Sequence, residues 1–271
     1  MPELPEVETT RRGIEPHALG QGIVALVVRE SRLRWPIPPD LPDKLPGLAV
    51  VAVRRRGKYL LLDTAAGCLI LHLGMSGSLR VCDPALPPRK HDHFDLVLGN
   101  GLCLRFHDPR RFGCLLWTEA DPRAHPLLAA LGPEPLEADF SGAYLHRRAE
   151  GRNTAVKAFL MDSHVVVGVG NIYANEALFM AGLLPTRAAG RVSLAGYERL
   201  AAAVREVLAA SIAQGGTTLR DFVNEAGHPG YFQQTLRVYG RAGEPCRACA
   251  APVRLERLGQ RATYWCPTCQ H

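Results

Sequence analysis

CRACAAPVRLERLGQRATYWCPTC (246–269) is the segment that specifies the structure of the carboxyl-terminal end of the chain. It contains two Cys-x2-Cys pairs with sixteen residues between them, which is the spacing of a four-cysteine zinc site. Predicted strands at 253–255 and 262–265, with Gly259 at the turn, return the second pair to the first. The predicted ligands of one structural Zn²⁺ are Cys246, Cys249, Cys266 and Cys269. Disulfides are the alternative, and zinc would supply much of the folding energy of so short a module.

Positive charge is concentrated in the same part of the chain. The 271 residues carry a net charge of +6, and the last 35 residues contribute +4 of it through six arginines and two glutamates. A basic terminal module is typical of proteins that contact phosphate, although a solvated basic tail would have the same composition. Four other cysteines lie in apolar segments without ligand spacing, and we expect them to be small buried hydrophobic residues: Cys68, Cys82, Cys103 and Cys114.

Upstream of this module the pattern changes from β to helical. A helix is predicted at residues 1 to about 20. Seven short apolar runs between 22 and 118, one of them LAVVAV (48–53), predict a β-sandwich or flattened barrel, with a hairpin at Asn100-Gly101. The proline-containing stretch 131–140 indicates a linker. Helices are predicted at 155–161, 172–181 and 194–214, with Ser193 as the N-cap of the last. The polar stretch 217–232 is typical of a functional loop. Together these elements predict an α+β fold class.

The apolar runs are too short for a membrane helix, which needs about 20 residues. The first residues, MPELPEVE, are acidic, whereas a secretory signal begins with basic residues. We therefore expect a cytoplasmic, nucleoid-associated protein without a membrane partner, and we expect it to be a monomer.

The amino terminus is a candidate nucleophile. Removal of Met1 would leave Pro2 as a secondary amine, and an α-amine is neutral at pH 7 far more often than a lysine is. Glu3 or Glu6 could supply the acid that such chemistry needs. An initiator methionine followed by an ordinary helix with acidic residues in its first turn would explain the same residues.

The chain resembles the formamidopyrimidine-DNA glycosylase family along its whole length. The resemblance rests on ten motifs in family order: PELPEVET (2–9), RRGIEPH (11–17), GKYLLL (57–62), HLGMSGSLR (72–80), KHDH (90–93), DPRRFG (108–113), VVGVGNIYANE (166–176), QGGTTLRDF (214–222), VYGR (238–241) and QRATYWCPTCQ (260–270).

The resemblance implies roles for individual residues. It makes Pro2 the nucleophile, Glu3 its neighbouring acid, and Lys58 the proton donor in β-elimination. Arg261 serves δ-elimination and contacts phosphate. The implied DNA-binding residues are His91, Arg110, Arg152, Asn171, Met75 and Phe112. Three of them, Met75, Arg110 and Phe112, fill the gap left by a flipped nucleotide. The mobile loop over the damaged base corresponds to 217–227.

The resemblance also implies the architecture and the reaction. An amino-terminal catalytic β-sandwich with flanking helices (1–131) precedes a helix–two-turn–helix domain (132–235) and a zinc-finger hairpin (236–271). The implied activity is base-excision repair of oxidised purines in double-stranded DNA, as a glycosylase and a lyase acting by β,δ-elimination. Three alternatives remain: an endonuclease VIII-type enzyme for oxidised pyrimidines, a non-catalytic zinc-ribbon DNA-binding protein, and a lyase that uses Lys58 or Lys157 as its amine.

Overall fold

The computed structural model describes residues 2–216 and 235–271. The described residues divide into two compact units, one formed by 2–129 with 214–216 and the other by 130–213 with 235–271. The helices of the described residues are α1 Leu4–Ala18, α2 Leu41–Lys44, α3 Pro126–Ala129, α4 Gly142–Ala149, α5 Val156–Leu160, α6 Asn171–Met180 and α7 Leu194–Ala213, with short 3₁₀ turns at Pro122–Ala124 and Ala189–Arg191. No described helix has both the length and the apolar character of a membrane span.

The first unit contains two four-stranded antiparallel sheets. Their orders are β1-β6-β7-β5 and β2-β3-β4-β8. The strands are β1 Ile23–Val28, β2 Ala52–Arg56, β3 Tyr59–Asp63, β4 Cys68–His72, β5 Ser78–Cys82, β6 Asp92–Leu98, β7 Cys103–His107 and β8 Cys114–Thr118. Apolar side chains from both sheets and from α1 form one core, in which Leu60, Phe94 and Phe106 are almost fully buried. The predicted sandwich is confirmed.

Two details of the predicted sandwich are wrong. The run 48–53 was expected to be a strand, but only Ala52 and Val53 belong to β2, which continues through Arg56. The arginines fit a strand because Arg54 forms an ion pair with Asp63 of β3 and Arg55 with Glu8 of α1. Strand β5 was not predicted. The predicted hairpin at Asn100-Gly101 is present, and Gly101 has a φ of 82°.

The second unit combines helices with a short hairpin. Strands β9 Arg254–Leu258 and β10 Arg261–Trp265 pair with Leu258 opposite Arg261. Gly259 and Gln260 both have positive φ values, 53° and 64°, as a two-residue type I′ turn requires. All three predicted helices are present, and the Ser193 hydroxyl accepts a hydrogen bond from the Gly196 N–H at the start of the last. The predicted linker 131–140 contains no regular element, whereas α4 was not predicted.

Candidate functional site

The chain enters α1 through buried polar residues. Pro2 is buried, and Glu3 and Glu6 are each only 2% exposed. The Glu3 backbone N–H donates to Oε2 of Glu6 at 2.8 Å, one half of a reciprocal capping box. Leu4 and Val7 anchor this first turn in the core. Two carboxyl groups therefore lie within one helical turn of Pro2, in surroundings from which water is largely excluded.

Ion pairs hold α1 against the strand that leads to Lys58. Glu8 of α1 accepts from Arg55 of β2 at 3.1 Å, and Arg11 donates to the Val53 carbonyl at 3.2 Å. Burial raises the pKa of Glu8, but its hydrogen bonds to Arg11 and Arg12 outweigh burial and lower it overall. Glu8 therefore stays ionised, and the pairing fixes the start of α1 relative to β2.

Lys58 lies in the two-residue turn between β2 and β3. Its neighbour Gly57 has a φ of 56°, a backbone conformation that glycine adopts more readily than residues with a side chain. His72 ends β4 opposite Tyr59, and its Nδ1 accepts a hydrogen bond from the Gly74 N–H at 2.9 Å. Burial and, next, the charge of Lys58 lower the pKa of His72 to about 4. His72 is therefore a neutral acceptor, and sequence reasoning did not identify it.

Two turns of the sandwich meet on one buried carboxylate. Asp108 is fully buried; its Oδ1 accepts from the Ser76 hydroxyl at 3.1 Å and from the Arg110 N–H at 3.2 Å, and its Oδ2 accepts from the Gly113 N–H at 2.8 Å. The backbones also touch, because a Cβ on Gly74 would lie 2.5 Å from the Gly113 nitrogen. Asp108 thus joins the turn that carries Met75 to the turn that carries Arg110 and Phe112.

The side chains on these joined turns point outward. Phe112 is 42% exposed, Arg110 is exposed and Met75 is partly exposed. The Arg110 guanidinium lies over the Phe112 ring, 4.9 Å from its centroid. A large exposed aromatic side chain on a turn braced by a buried charge has the properties of a wedge that inserts between base pairs. The structure groups these three predicted residues.

His91 lies at the end of the loop before β6. It is partly exposed and has a φ of 74°, an unusual conformation for a residue other than glycine. Partial desolvation and then the charge of Lys90 lower its pKa. The following Asp92 fixes the loop: its carboxylate accepts from the Arg89 N–H at 2.8 Å, and from Arg80 and His107. His91 is therefore presented from a fixed backbone.

In the second unit, helix α6 binds the hairpin through polar side chains. Asn171 donates to the Ala262 carbonyl at 3.0 Å, and Oδ1 of Asn175 accepts from the Tyr264 N–H at 2.7 Å. The buried carboxylate of Glu176 accepts from three successive backbone N–H groups, those of Arg237, Val238 and Tyr239, at 2.8 to 2.9 Å. Sequence reasoning identified only Asn171, as a family-motif residue at the start of a helix. The contacts of all three side chains are made to residues more than 60 positions away, so no local signal predicts them.

Lys157 of α5 strengthens this attachment. Its side chain is 1% exposed, and Nζ donates to the Ala262 carbonyl at 2.9 Å and to the Thr263 hydroxyl at 2.8 Å. An ammonium so held is a poor amine nucleophile. The contacts instead fix β10 next to Arg261, which is exposed at the hairpin turn. Arg152 is also exposed, and its Nε donates to the Arg148 carbonyl.

The four predicted zinc ligands form one cluster. All four Sγ atoms lie within 4.8 Å of one another, including 3.4 Å between Cys249 and Cys266 and 3.9 Å between Cys246 and Cys269. Zn–S bonds of about 2.3 Å in a tetrahedron place sulfur atoms about 3.8 Å apart. The cluster therefore fits one structural Zn²⁺, and all eight cysteines are unbridged thiols.

Family models match the chain in three consecutive segments. The formamidopyrimidine-DNA glycosylase N-terminal domain matches residues 1–115, the H2TH domain of the same enzymes matches 131–223, and a zinc finger found in FPG and IleRS matches 243–271. The Methylococcus capsulatus protein named formamidopyrimidine-DNA glycosylase is 70% identical over the full length of both chains. The chain belongs to the formamidopyrimidine-DNA glycosylase family.

Solved structures agree with this membership. A crystal structure of Lactococcus lactis Fpg with DNA that contains Fapy-dG is 30% identical, covers 99% of this chain and 100% of that chain, and superposes with a TM-score of 0.90. A second structure of Lactococcus lactis Fpg, with DNA that contains an abasic site, gives 30% identity, 99% coverage of both chains and a TM-score of 0.91. The predicted resemblance, fold class and zinc site are confirmed.

Two sequence predictions concern residues outside the described part of the chain. They are the removal of Met1 and the loop over the damaged base at 217–227. The described chain reaches Gly216, which has a φ of 87° and where an added Cβ would lie 3.2 Å from Oε1 of Glu6. The catalytic and DNA-binding assignments stay predictions.

Asp108→Asn should separate the two joined turns. The amide replaces one acceptor oxygen by a donor, so a buried N–H or O–H group loses its partner, at a cost of about 1–3 kcal/mol. We expect that loss in urea unfolding, together with weaker binding of abasic DNA in a fluorescence-anisotropy titration. Asp83→Asn is the matched control, because Asp83 is exposed and accepts from the Ala85 N–H. Equal stability and affinity in the two variants would contradict this role for Asp108.

His72 should make the first unit sensitive to acid. Its pKa falls from 6.5 in the unfolded chain to about 4 in the folded protein, so the unfolded state binds the proton first as the pH decreases. The stabilising contribution is complete above pH 6.5 and is lost progressively towards pH 4. We expect His72→Asn, which keeps an acceptor, to reduce the stability lost between pH 7.5 and 4.5 by about 2–3 kcal/mol. Parallel pH profiles from urea unfolding would exclude this effect.

Proposed function

We propose that the chain is a bifunctional DNA glycosylase and apurinic/apyrimidinic lyase that removes oxidised purines, such as 8-oxoguanine and formamidopyrimidines, from double-stranded DNA. The family models that match in chain order and the name of the 70% identical relative support the substrate class. The observation that carries the proposal is the wedge of Met75, Arg110 and Phe112 on turns joined by buried Asp108. An exposed wedge on two joined turns suits an enzyme that must extrude a nucleotide.

The wedge addresses the first physical problem of the reaction. A base stacked in a duplex shields C1′ of its sugar, so glycosylases flip the nucleotide out of the helix. Phe112 and Met75 would fill the resulting gap, and Arg110 would face the bases left behind, at an unstacking cost of a few kcal/mol. His91, Arg152 and Asn171 would bind the phosphate backbone.

The chemical steps follow from Pro2. Its secondary amine attacks C1′, the C1′–N bond breaks, and the base leaves with the electron pair while Glu3 supplies a proton. After the Pro2 nitrogen loses its proton, its lone pair expels O4′; the C1′–O4′ bond breaks, O4′ takes a proton, and the resulting iminium acidifies the C2′ proton. Loss of that proton breaks the C3′–O bond (β-elimination), with Lys58 as proton donor, and a second elimination assisted by Arg261 breaks the C5′–O bond. The proposed product is a one-nucleoside gap with phosphate at both ends.

The proposed zinc has a structural role. Four protein sulfur ligands leave no open coordination position, so the metal folds the module rather than activating water. The proposed domains are 1–131, 132–235 and 236–271, and the proposed assembly is a monomer. We also propose a cytoplasmic location with nucleoid association, which double-stranded DNA as the substrate supports.

Pro2→Gly should abolish most strand cleavage and leave binding of lesion DNA intact, because the variant loses the secondary amine while the phosphate contacts remain. The measurement is borohydride trapping on duplex DNA that contains 8-oxoguanine, followed by peptide mapping. We expect an adduct on Pro2. An adduct on Lys58 or Lys157 would establish the amine alternative, and no adduct at all would establish a non-catalytic DNA-binding protein.

Faster excision of thymine glycol than of 8-oxoguanine would establish the endonuclease VIII-type alternative.

Cys249→Ser should weaken DNA binding, because loss of zinc unfolds the hairpin that carries Arg261. The affinity for abasic DNA and the zinc content are measured together. Cys82→Ser is the control, because Cys82 lies outside the cluster. This variant should keep both its affinity for abasic DNA and its zinc. Unchanged affinity in a zinc-depleted Cys249→Ser protein would show that the module is dispensable for binding.

A further inference from the structure

Two cysteines of the sandwich face each other across neighbouring strands. Cys82 ends β5 and Cys103 begins β7; they are register partners, and their Sγ atoms are 3.5 Å apart. The expectation of buried small hydrophobic residues holds for Cys103, which is fully buried, but Cys82 is partly exposed. Neither residue has a role in the proposed reaction.

The geometry of the pair allows a covalent bond. Directly opposed residues of an antiparallel pair have Cα atoms about 4.5–5.5 Å apart, which lies inside the range that disulfides span. A disulfide needs a sulfur separation of about 2.05 Å, so the two sulfur atoms must approach by about 1.5 Å. Rotation of side chains can provide this approach, and the strand register need not change.

The other cysteines of the sandwich do not form such a pair. Cys68 is paired with Thr118, and Cys114 with His72, at opposite ends of the β4–β8 ladder. Burial raises the pKa of both thiols, and both side chains are buried. The remaining four cysteines form the zinc cluster of the second unit.

We propose that Cys82 and Cys103 form a modification site, a dithiol that hydrogen peroxide converts into a cross-strand disulfide. The Cys82 thiolate attacks one peroxide oxygen, the O–O bond breaks, and hydroxide leaves, which gives a sulfenic acid. The Cys103 sulfur then attacks the Cys82 sulfur; the S–O bond breaks and water leaves with the Cys103 proton. Two thiols lose two electrons in total, and one peroxide becomes two waters.

The order of the two steps follows from exposure. Cys82 is accessible from solvent, whereas burial, followed by the hydrogen bond to Cys82, raises the pKa of Cys103 to about 12. Cys103 therefore reacts only after Cys82 has been oxidised next to it. Its proximity would also protect Cys82 from further oxidation, because condensation to a disulfide competes with the irreversible step to sulfinic acid.

The crosslink would act on an edge strand. β5 lies at the end of its sheet, where β7 is its strand neighbour in the described structure. Its amino-terminal end follows the Met75 turn, and β7 leads into the Arg110 turn. A bond between Cys82 and Cys103 would hold the far end of this strand pair and close the chain from 83 to 102 into a loop. The consequence is a more stable sandwich, whichever substrate the protein acts on.

The test uses the full-length zinc-loaded protein and hydrogen peroxide. After treatment, remaining thiols are alkylated and the protein is digested without reductant. We expect a crosslinked peptide pair containing Cys82 and Cys103, lighter than the two reduced peptides by two hydrogen atoms. We also expect the Tm to rise by roughly 5 °C and to return to its original value after dithiothreitol. Zinc content is measured in every sample.

Variants distinguish this site from general oxidation. Cys82→Ser and Cys103→Ala should each lose both the crosslink and the rise in Tm, whereas Cys68→Ser should keep both. The proposal fails if Cys82 becomes sulfinic acid while Cys103 stays a thiol, or if the crosslink joins other cysteines. It also fails if zinc is released while both thiols remain reduced. None of these readouts depends on glycosylase activity, so the proposed function is tested separately.

Discussion

The buried carboxylate of Asp108 imposes the constraint on which the proposed DNA-facing surface of the first unit depends. A fully buried charge must be surrounded by donors, and the chain provides them from two turns that are more than 30 residues apart. Once Ser76 and Gly113 have approached one carboxylate, glycine is required at position 74, because the backbones then touch. The exposed positions of Met75 and Phe112 result from this arrangement.

The second unit solves a different problem, which is the attachment of a small module with few apolar residues of its own. The buried apolar cluster of the module is small, and it includes Val253, Cys266 and Phe179 of α6. Polar side chains of α5 and α6 complete the attachment: Lys157, Asn171 and Asn175 bind β10, and Glu176 binds the backbone that enters the module. The metal cluster folds the hairpin, and these hydrogen bonds place Arg261.

The success of sequence reasoning followed the range of the interactions involved. The zinc hairpin was predicted almost completely, because its ligand spacing and its glycine turn are local signals. Strand β2 was misplaced because a run of arginines is not typical of a strand. The run becomes compatible with one because Asp63 and Glu8 form ion pairs with two of the arginines. Asp108 and His72 lie in recognised motifs, and Lys157 was considered only as an amine. Their contacts are made to residues that are distant in sequence or depend on burial. Only the folded chain could reveal their roles.

The stacking of Arg110 on Phe112 gives the proposed wedge a resting conformation. In water an exposed aromatic ring favours association with other apolar surfaces, and the guanidinium shields one face of it while remaining hydrated itself. Insertion into DNA would require the two side chains to separate, so the ring would exchange a cation for a base. In the proposed function, the guanidinium would cover the ring until bases of a duplex replace it, which would limit contact of the exposed ring with other apolar surfaces before DNA is bound.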